Sequence, residues 1–403
     1  MGKMATDVPK SRVGEIMIEF AGLTGLSPAG EAPRRYLWTD ALAVCNFLEL
    51  YRQTIEDRYR KLALNLVDQV HDVLGRHRDD DLRTGWISGL DEQAGGKHPT
   101  KGGLRIGKEL NERGSDDPYD EQLEWDRDGQ YYHYLTKWMH ALNRIYRAIG
   151  DSIFNQWAIE LAKAVHPRFT YGPSSAGRKL MYWKMSIDLS HPLVPSMGHH
   201  DPLDGLVTYL ELQASAGKAS GTGERPNLSS EITGPDLRSE ITDMVNMCEG
   251  KSWETDDPLG LGELLSTAYR LAQLVINEGV EQSELLDVLL ASSLTGLQFY
   301  EKNNPLKHPA DYRLAFRELG LSIGLHAVER LPGLIERMWS DANLAMRLHA
   351  RTESLLQYTP LAGIIERFWL HAPNSQSESW TAHRDINMVM LATSLAPHGY
   401  LSI

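Results

Sequence analysis

Apolar positions along this chain recur mostly at the three- and four-residue spacing of an amphipathic helix, and almost nowhere with the alternation of a strand. In 41–74 a helix runs to Leu50, a polar turn occupies 51–59, and Leu62, Ala63, Leu66, Val67 and Val70 share one face of a second helix. The layout returns at 134–165. A helix runs to Tyr146, a turn fills 147–154, and Ala158, Ile159, Leu161, Ala162 and Val165 line the next face. Further pairs are expected at 178–188 with 204–214, 259–277 with 283–301, 312–328 with 334–348, and 355–370 with 383–395. Six hairpins with no obvious cut between them predict an all-α fold, an (α/α)6 toroid with long loops on one face. Residues 33–403 form its single domain, behind an N-terminal extension at 1–32.

Two stretches break the helical period. Residues 75–128 are rich in Gly, Asp and Arg, and their embedded Trp86, Leu104 and Ile106 predict an ordered loop. Residues 215–239 have the Gly/Ser composition of a flexible surface excursion. Both read as insertions in the domain.

Composition narrows the partners. Hydrophobic content of 42% and charged content of 24% are ordinary globular values. A formal net charge of −13 argues against nucleic acid and anionic membrane as partners, since both need cationic surface. Cys45 and Cys248 are too few for a disulfide framework or a cysteine-rich zinc site. The N-terminus lacks a signal-type apolar region, and no apolar run approaches a membrane span, so the expected location is cytoplasmic.

The candidate chemistry sits at helix openings. Glu124-Trp-Asp-Arg-Asp-Gly-Gln-Tyr131 runs three carboxylates and a glycine into an aromatic-rich helix, and Trp38-Thr-Asp40 opens another. Acids beside flat rings suit a sugar, whose C–H faces stack on aromatics while carboxylates serve its hydroxyls and glycosidic oxygen. Asp128 and Asp204 each precede a glycine at such an opening. They form a candidate acid/base pair, with N-capping as the plain alternative. Glu124 and Asp126 stand in reserve. His199, His200 and Asp201 are adjacent and cannot easily all ligate one ion, so no metal is expected and a histidine acid/base role is preferred. His383 and Arg384 open the last helix; Arg384 could hold a carboxylate or pair with a neighbouring acid. Arg105, in the glycine-rich 102–107 loop, could clamp an acidic sugar or pin the loop. That loop lacks the residues of a nucleotide motif.

These openings resemble the six-hairpin glycosidase-like superfamily, which includes glycoside hydrolases, unsaturated uronyl hydrolases and the N-acylglucosamine 2-epimerase group. Trp125-Asp-Arg-Asp-Gly-Gln-Tyr131 is similar to the Trp-x-Asp-Gly-x-Tyr opening that carries the proton-donating aspartate of unsaturated uronyl hydrolases, with one residue more ahead of Asp128-Gly129. The resemblance implies inner-helix N-termini gathered on one face, where dipole ends and free N–H groups favour anionic or polar ligands. It implies a carbohydrate-active enzyme acting on a small-molecule substrate, with no cofactor demanded. The first expectation is a hydrolase with Asp128 as proton donor and Asp204 as second carboxylate. Trp38, Trp86, Trp125 and Tyr131 would be stacking walls, and Asp40, Arg105, His199, His200, Asp201 and His383 would contact hydroxyls or a carboxylate. The alternative is a sugar 2-epimerase in which His200 and His383 share the proton and Arg384 holds the open-chain carbonyl. A third is a non-catalytic binding or scaffold toroid.

Overall fold

The computed structural model describes residues 4–30, 32–114, 117–172, 177–219, 236–338 and 342–403. Its long helices are α1 (Met4–Leu23), α2 (Leu37–Thr54), α3 (Asp57–Leu74), α4 (Tyr132–Ile149), α5 (Ser152–Phe169), α6 (Asp201–Ala219) and α7 (Arg238–Cys248). They continue as α8 (Pro258–Gln273), α9 (Ser283–Asn303), α10 (Ala315–Val328), α11 (Ala342–Leu356), α12 (Pro360–Leu370) and α13 (Arg384–Leu395). The protein is all-α, as the hydrophobic periodicity requires. Among the described residues no helix is long and apolar enough to cross a membrane.

Local signals account for the hairpins. Gly150 ends α4 in the left-handed conformation, and the Asp151 side chain accepts from the Ile153 N–H to start α5. Asp257 caps α8 through the Gly260 N–H, with Pro258 in the first turn. The α2–α3 turn is only two residues, Ile55 and Glu56, so both helices are longer than the sequence alone suggests.

The chain folds as two compact units, each built from separated segments. One comprises 24–44 and 57–249; the other comprises 1–23, 45–56 and 250–403. In the first, α4 packs on α5 and on α6, α5 on α6, and α6 on α7. In the second, α8 packs on α9 and on α10, and α10 on both α12 and α13. Alternate helices thus meet one another while the intervening ones cover them. The α8–α10 crossing is backbone on backbone. A Cβ on Gly262 would lie 2.0 Å from the Gly320 carbonyl oxygen, and one on Gly324 would lie 2.6 Å from that of Gly262. Residues 1–32, expected as an extension, contain α1, which packs on α13 and buries Val13, Ile16, Met17 and Phe20.

Residues 178–188 were expected to form a helical arm, and the segment from 180 to 194 instead holds strands. With β1 (Gln130–Tyr131), β2 (Thr170–Tyr171), β3 (Leu180–Met181), β4 (Lys184–Met185) and β5 (Pro192–Val194), β4 lies between β1 and β5 while β2 pairs with β3. The backbone of this segment is taken up by cross-strand pairing with the α4 opening, and α6 finds its partner in α7. The 75–128 loop is ordered where described, with a short helix at Glu92–Lys97 capped by Asp91. Of the expected 215–239 excursion, residues 220–235 lie outside the described residues.

Candidate functional site

The α4 opening is built differently from a simple capped helix. Asp120 caps a short helix at Glu121–Asp126, and β1 then intervenes before α4 begins at Tyr132. Gly129, at φ +146°, lets the chain pass the Met185 carbonyl where a Cβ would lie at 2.8 Å. Asp128 is therefore not the cap of α4. Its side chain is fully buried, Oδ1 accepts from the Gly107 and Gly129 N–H groups at 3.0 Å each, and Oδ2 faces Arg105 at 2.5 Å and Arg78 at 3.4 Å. Both oxygens are engaged. Asp128 is a buried anchor for the 75–128 loop, a placement that leaves neither oxygen open to solvent.

The loop arginines serve the same anchoring. Arg105 also donates to the Arg76 and Val73 carbonyls, so it pins the loop rather than clamping a ligand. Trp86, expected as a stacking wall, is buried: the Arg76 guanidinium lies 4.2 Å from its ring centroid and Gly95 packs so closely that a Cβ would sit at 2.3 Å.

Other expected acids are likewise paired. Glu124 is buried between Arg113 at 2.8 Å and Lys184 at 3.3 Å. Burial depresses the Lys184 ammonium below its ordinary range, and the Glu124 carboxylate beside it partly offsets that. Asp204 faces the buried Lys137 ammonium at 3.3 Å, and Asp40 faces Arg35 at 3.3 Å. Asp126 is exposed.

What the α4 opening does gather is a run of rings. Trp125 meets Trp183 edge-on at 4.9 Å, Trp183 meets Tyr131 at 5.0 Å, and Tyr131 stacks on His133 at 5.5 Å. His133 lies nearly parallel to Trp183, at 8°, and meets Tyr134 edge-on at 4.7 Å. The Tyr134 and Tyr36 hydroxyls are 2.6 Å apart, and Trp38 closes the run against Tyr134 at 6.3 Å. Tyr131 and Trp38 are buried, Trp125 is exposed, and Trp183, His133, Tyr134 and Tyr36 are half-buried. The strand pairing of β4 with β1 explains the cluster: it brings Trp183, distant in sequence, onto the rings of the helix opening.

One imidazole stands among these rings. The His133 side chain is 27% exposed, yet its Nδ1 is shut off from solvent and has no hydrogen-bond partner, the nearest acid being Asp201 Oδ1 at 3.7 Å. Burial lowers its pKa to about 4, against the Asp204 carboxylate, which acts to raise it, so the ring is neutral at pH 7. Neither His133 nor Trp183 was singled out from the sequence. The Tyr131-Tyr-His-Tyr134 run at a helix start is a signal that could have found the histidine; Trp183 carries none.

Among the described residues no group of three or more His, Cys, Asp or Glu is arranged to hold a metal ion. His199 and His200 sit side by side just before α6, rings 4.8 Å apart, with His199 exposed and His200 half-buried. His383 and Arg384 belong to the other unit, where His383 meets Phe316 edge-on and Arg384 pairs with Glu19.

No protein-family model matches the sequence, and no curated protein does. Among solved structures, cellobiose 2-epimerase from Spirochaeta thermophila is similar at 12% identity and TM-score 0.46, covering 94% of this chain and 97% of that one. Cellobiose 2-epimerase from Bacillus thermoamylovorans is similar at 10% identity and TM-score 0.44, over 81% of this chain and 76% of that one. A sugar epimerase from a ruminal bacterium stands at 11% and 0.41, over 80% and 76%.

Proposed function

We propose that this protein is a carbohydrate-active isomerase, a sugar 2-epimerase, whose substrate lies against the Trp183, Tyr134 and Tyr36 rings with its reacting carbon at His133. The observation that carries the reading is the neutral imidazole in the ring cluster. Removing the proton from C2 of an open-chain sugar requires an unprotonated base, and His133 is kept unprotonated by burial. The Tyr36 and Tyr134 hydroxyls bond to each other, which leaves one O–H to donate to a substrate oxygen. Delivery of a solvent-derived proton to the opposite face of C2 gives the epimer, and His133 releases the proton it took to solvent.

Hydrolysis asks for something else, a carboxylic acid that holds its proton beside the leaving oxygen. The acids expected for that work face cations: Asp128 faces Arg105 and Arg78, Glu124 faces Arg113 and Lys184, and Asp204 faces Lys137. Asp126 is exposed.

The test is NMR of free aldoses and their β-linked disaccharides incubated with the protein in D2O. Deuterium at C2 together with the C2 epimer is expected, and both should vanish in His133→Asn. Glycosidic cleavage, or exchange that survives that substitution, overturns the reading.

A further inference from the structure

A base with a pKa near 4 is weak for removing a carbon-bound proton, because proton transfer favours a base matched to the working pH. His133 therefore needs a partner that stabilises its imidazolium and fixes which nitrogen is bare. Five charged or titratable side chains bear on it. Tyr131 stacks on the ring and Tyr134 meets it edge-on; burial pushes both hydroxyls up, so they stay neutral. Lys137 opposes the imidazolium and Asp204 favours it, and these two face each other at 3.3 Å. The fifth is Asp201, at the start of α6.

We infer that Asp201 is the positioning residue of His133: its carboxylate draws the Nδ1–H toward itself and leaves Nε2 as the acceptor that faces substrate. The inference rests on the reading of His133 as the base. Two independent features support it. His133 Nδ1 is the buried nitrogen and has no other partner, and a neutral imidazole carries its proton on the nitrogen that faces an acceptor. The backbone also makes room for the carboxylate. Asp201 folds over Gly198 so closely that a Cβ there would lie 2.4 to 2.6 Å from the three carboxylate atoms. At 3.7 Å the contact is longer than a hydrogen bond. Ligand-free acid/base contacts are often long and tighten when substrate excludes water. A tightened contact stabilises the imidazolium as it forms, so His133 gains basicity at the moment it accepts the proton.

The experiment is 15N NMR of the imidazole nitrogens of His133 in the full chain, assigned with His133→Asn, alongside C2 deuterium exchange. Wild type should show a protonated Nδ1 and a bare Nε2. Asp201→Asn can turn its amide N–H toward Nδ1 and should raise the Nε2–H tautomer, lowering kcat by about 10²-fold with KM little changed. Gly198→Ala keeps the acid but displaces its carboxylate, so it should move both readouts in the same direction by a smaller factor. It also stands in if Asp201→Asn does not fold. A wild-type ring protonated on Nε2, or a tautomer indifferent to both substitutions, overturns the inference. A tautomer that shifts as expected while His133→Asn retains exchange leaves Asp201 as the positioning residue and removes His133 from the chemistry.

Discussion

At the scale of single residues, burial separates two groups that look alike in sequence. Asp128 and His133 lie five positions apart in one aromatic-rich stretch, but the first is fully enclosed by two guanidinium groups and two N–H donors while the second keeps an open edge among rings. The two make opposite demands on mutagenesis. Asp128→Asn leaves Arg105 and Arg78 without their buried acid and is expected to cost about 3–5 kcal/mol of stability, read by urea denaturation. Turnover per folded molecule should stay within a few-fold of wild type; a loss beyond about 10² at unchanged stability would restore Asp128 to the chemistry. His133→Asn should do the reverse, leaving the denaturation midpoint within about 1 kcal/mol of wild type and removing C2 exchange. The acid-rich sequence around 124–131 was legible as a place of interest. Which of its residues faces open space was not, because that depends on Arg78, Arg105 and Lys184 arriving from elsewhere.

At the scale of elements, close helix packing and cross-helix polar ties carry the expectations. Gly262 and Gly320 put α8 and α10 in backbone contact, so Gly262→Ala must push the helices apart. A loss of about 1–3 kcal/mol is expected in thermal or urea unfolding, and no measurable loss would mean the crossing yields easily. His326 at the end of α10 tests electrostatics. Its Nδ1 lies 2.9 Å from Glu329 and its Nε2 lies 2.8 Å from Glu366 on α12, which Ser394 of α13 also contacts at 2.6 Å. Both nitrogens donate only when the ring is charged. Burial pulls the pKa down, but the two glutamates outweigh it and the pKa is raised. A raised folded pKa gives stability that is fully present below the unfolded value of about 6.5 and lost as pH rises through the folded one. Unfolding free energy measured from pH 6 to 9 should therefore fall more steeply in wild type than in His326→Gln. Parallel profiles would exclude the tie. Helix periodicity showed these elements with ends a few residues off, since caps such as Asp151 and Asp257 are local signals and hydrophobic faces are not.

At the scale of the whole chain, segments far apart in sequence complete each unit. Helix α1 packs on α13 near the other end, and Asn46 of α2 donates to the Val389 carbonyl of α13. Removing residues 1–23 takes away the core side chains of Val13, Ile16, Met17 and Phe20, each worth about 1.5–3 kcal/mol when fully buried, and should lower the unfolding midpoint sharply. A truncated chain as stable as the intact one would show that α1 adds nothing to its unit. Much here was set by the sequence alone. The three- and four-residue apolar period made the chain all-α, and the turn and cap residues cut it into hairpins, because each of these depends on local spacing. Tertiary structure decided the rest: that the segment from 180 to 194 holds strands, that α1 completes a distant helix, that Trp183 joins the rings of the α4 opening, and that Asp128 is enclosed while His133 is not. Those are outcomes of contacts between segments tens of residues apart, and burial, which sets the charge and reach of every acid and base, exists only once such contacts form.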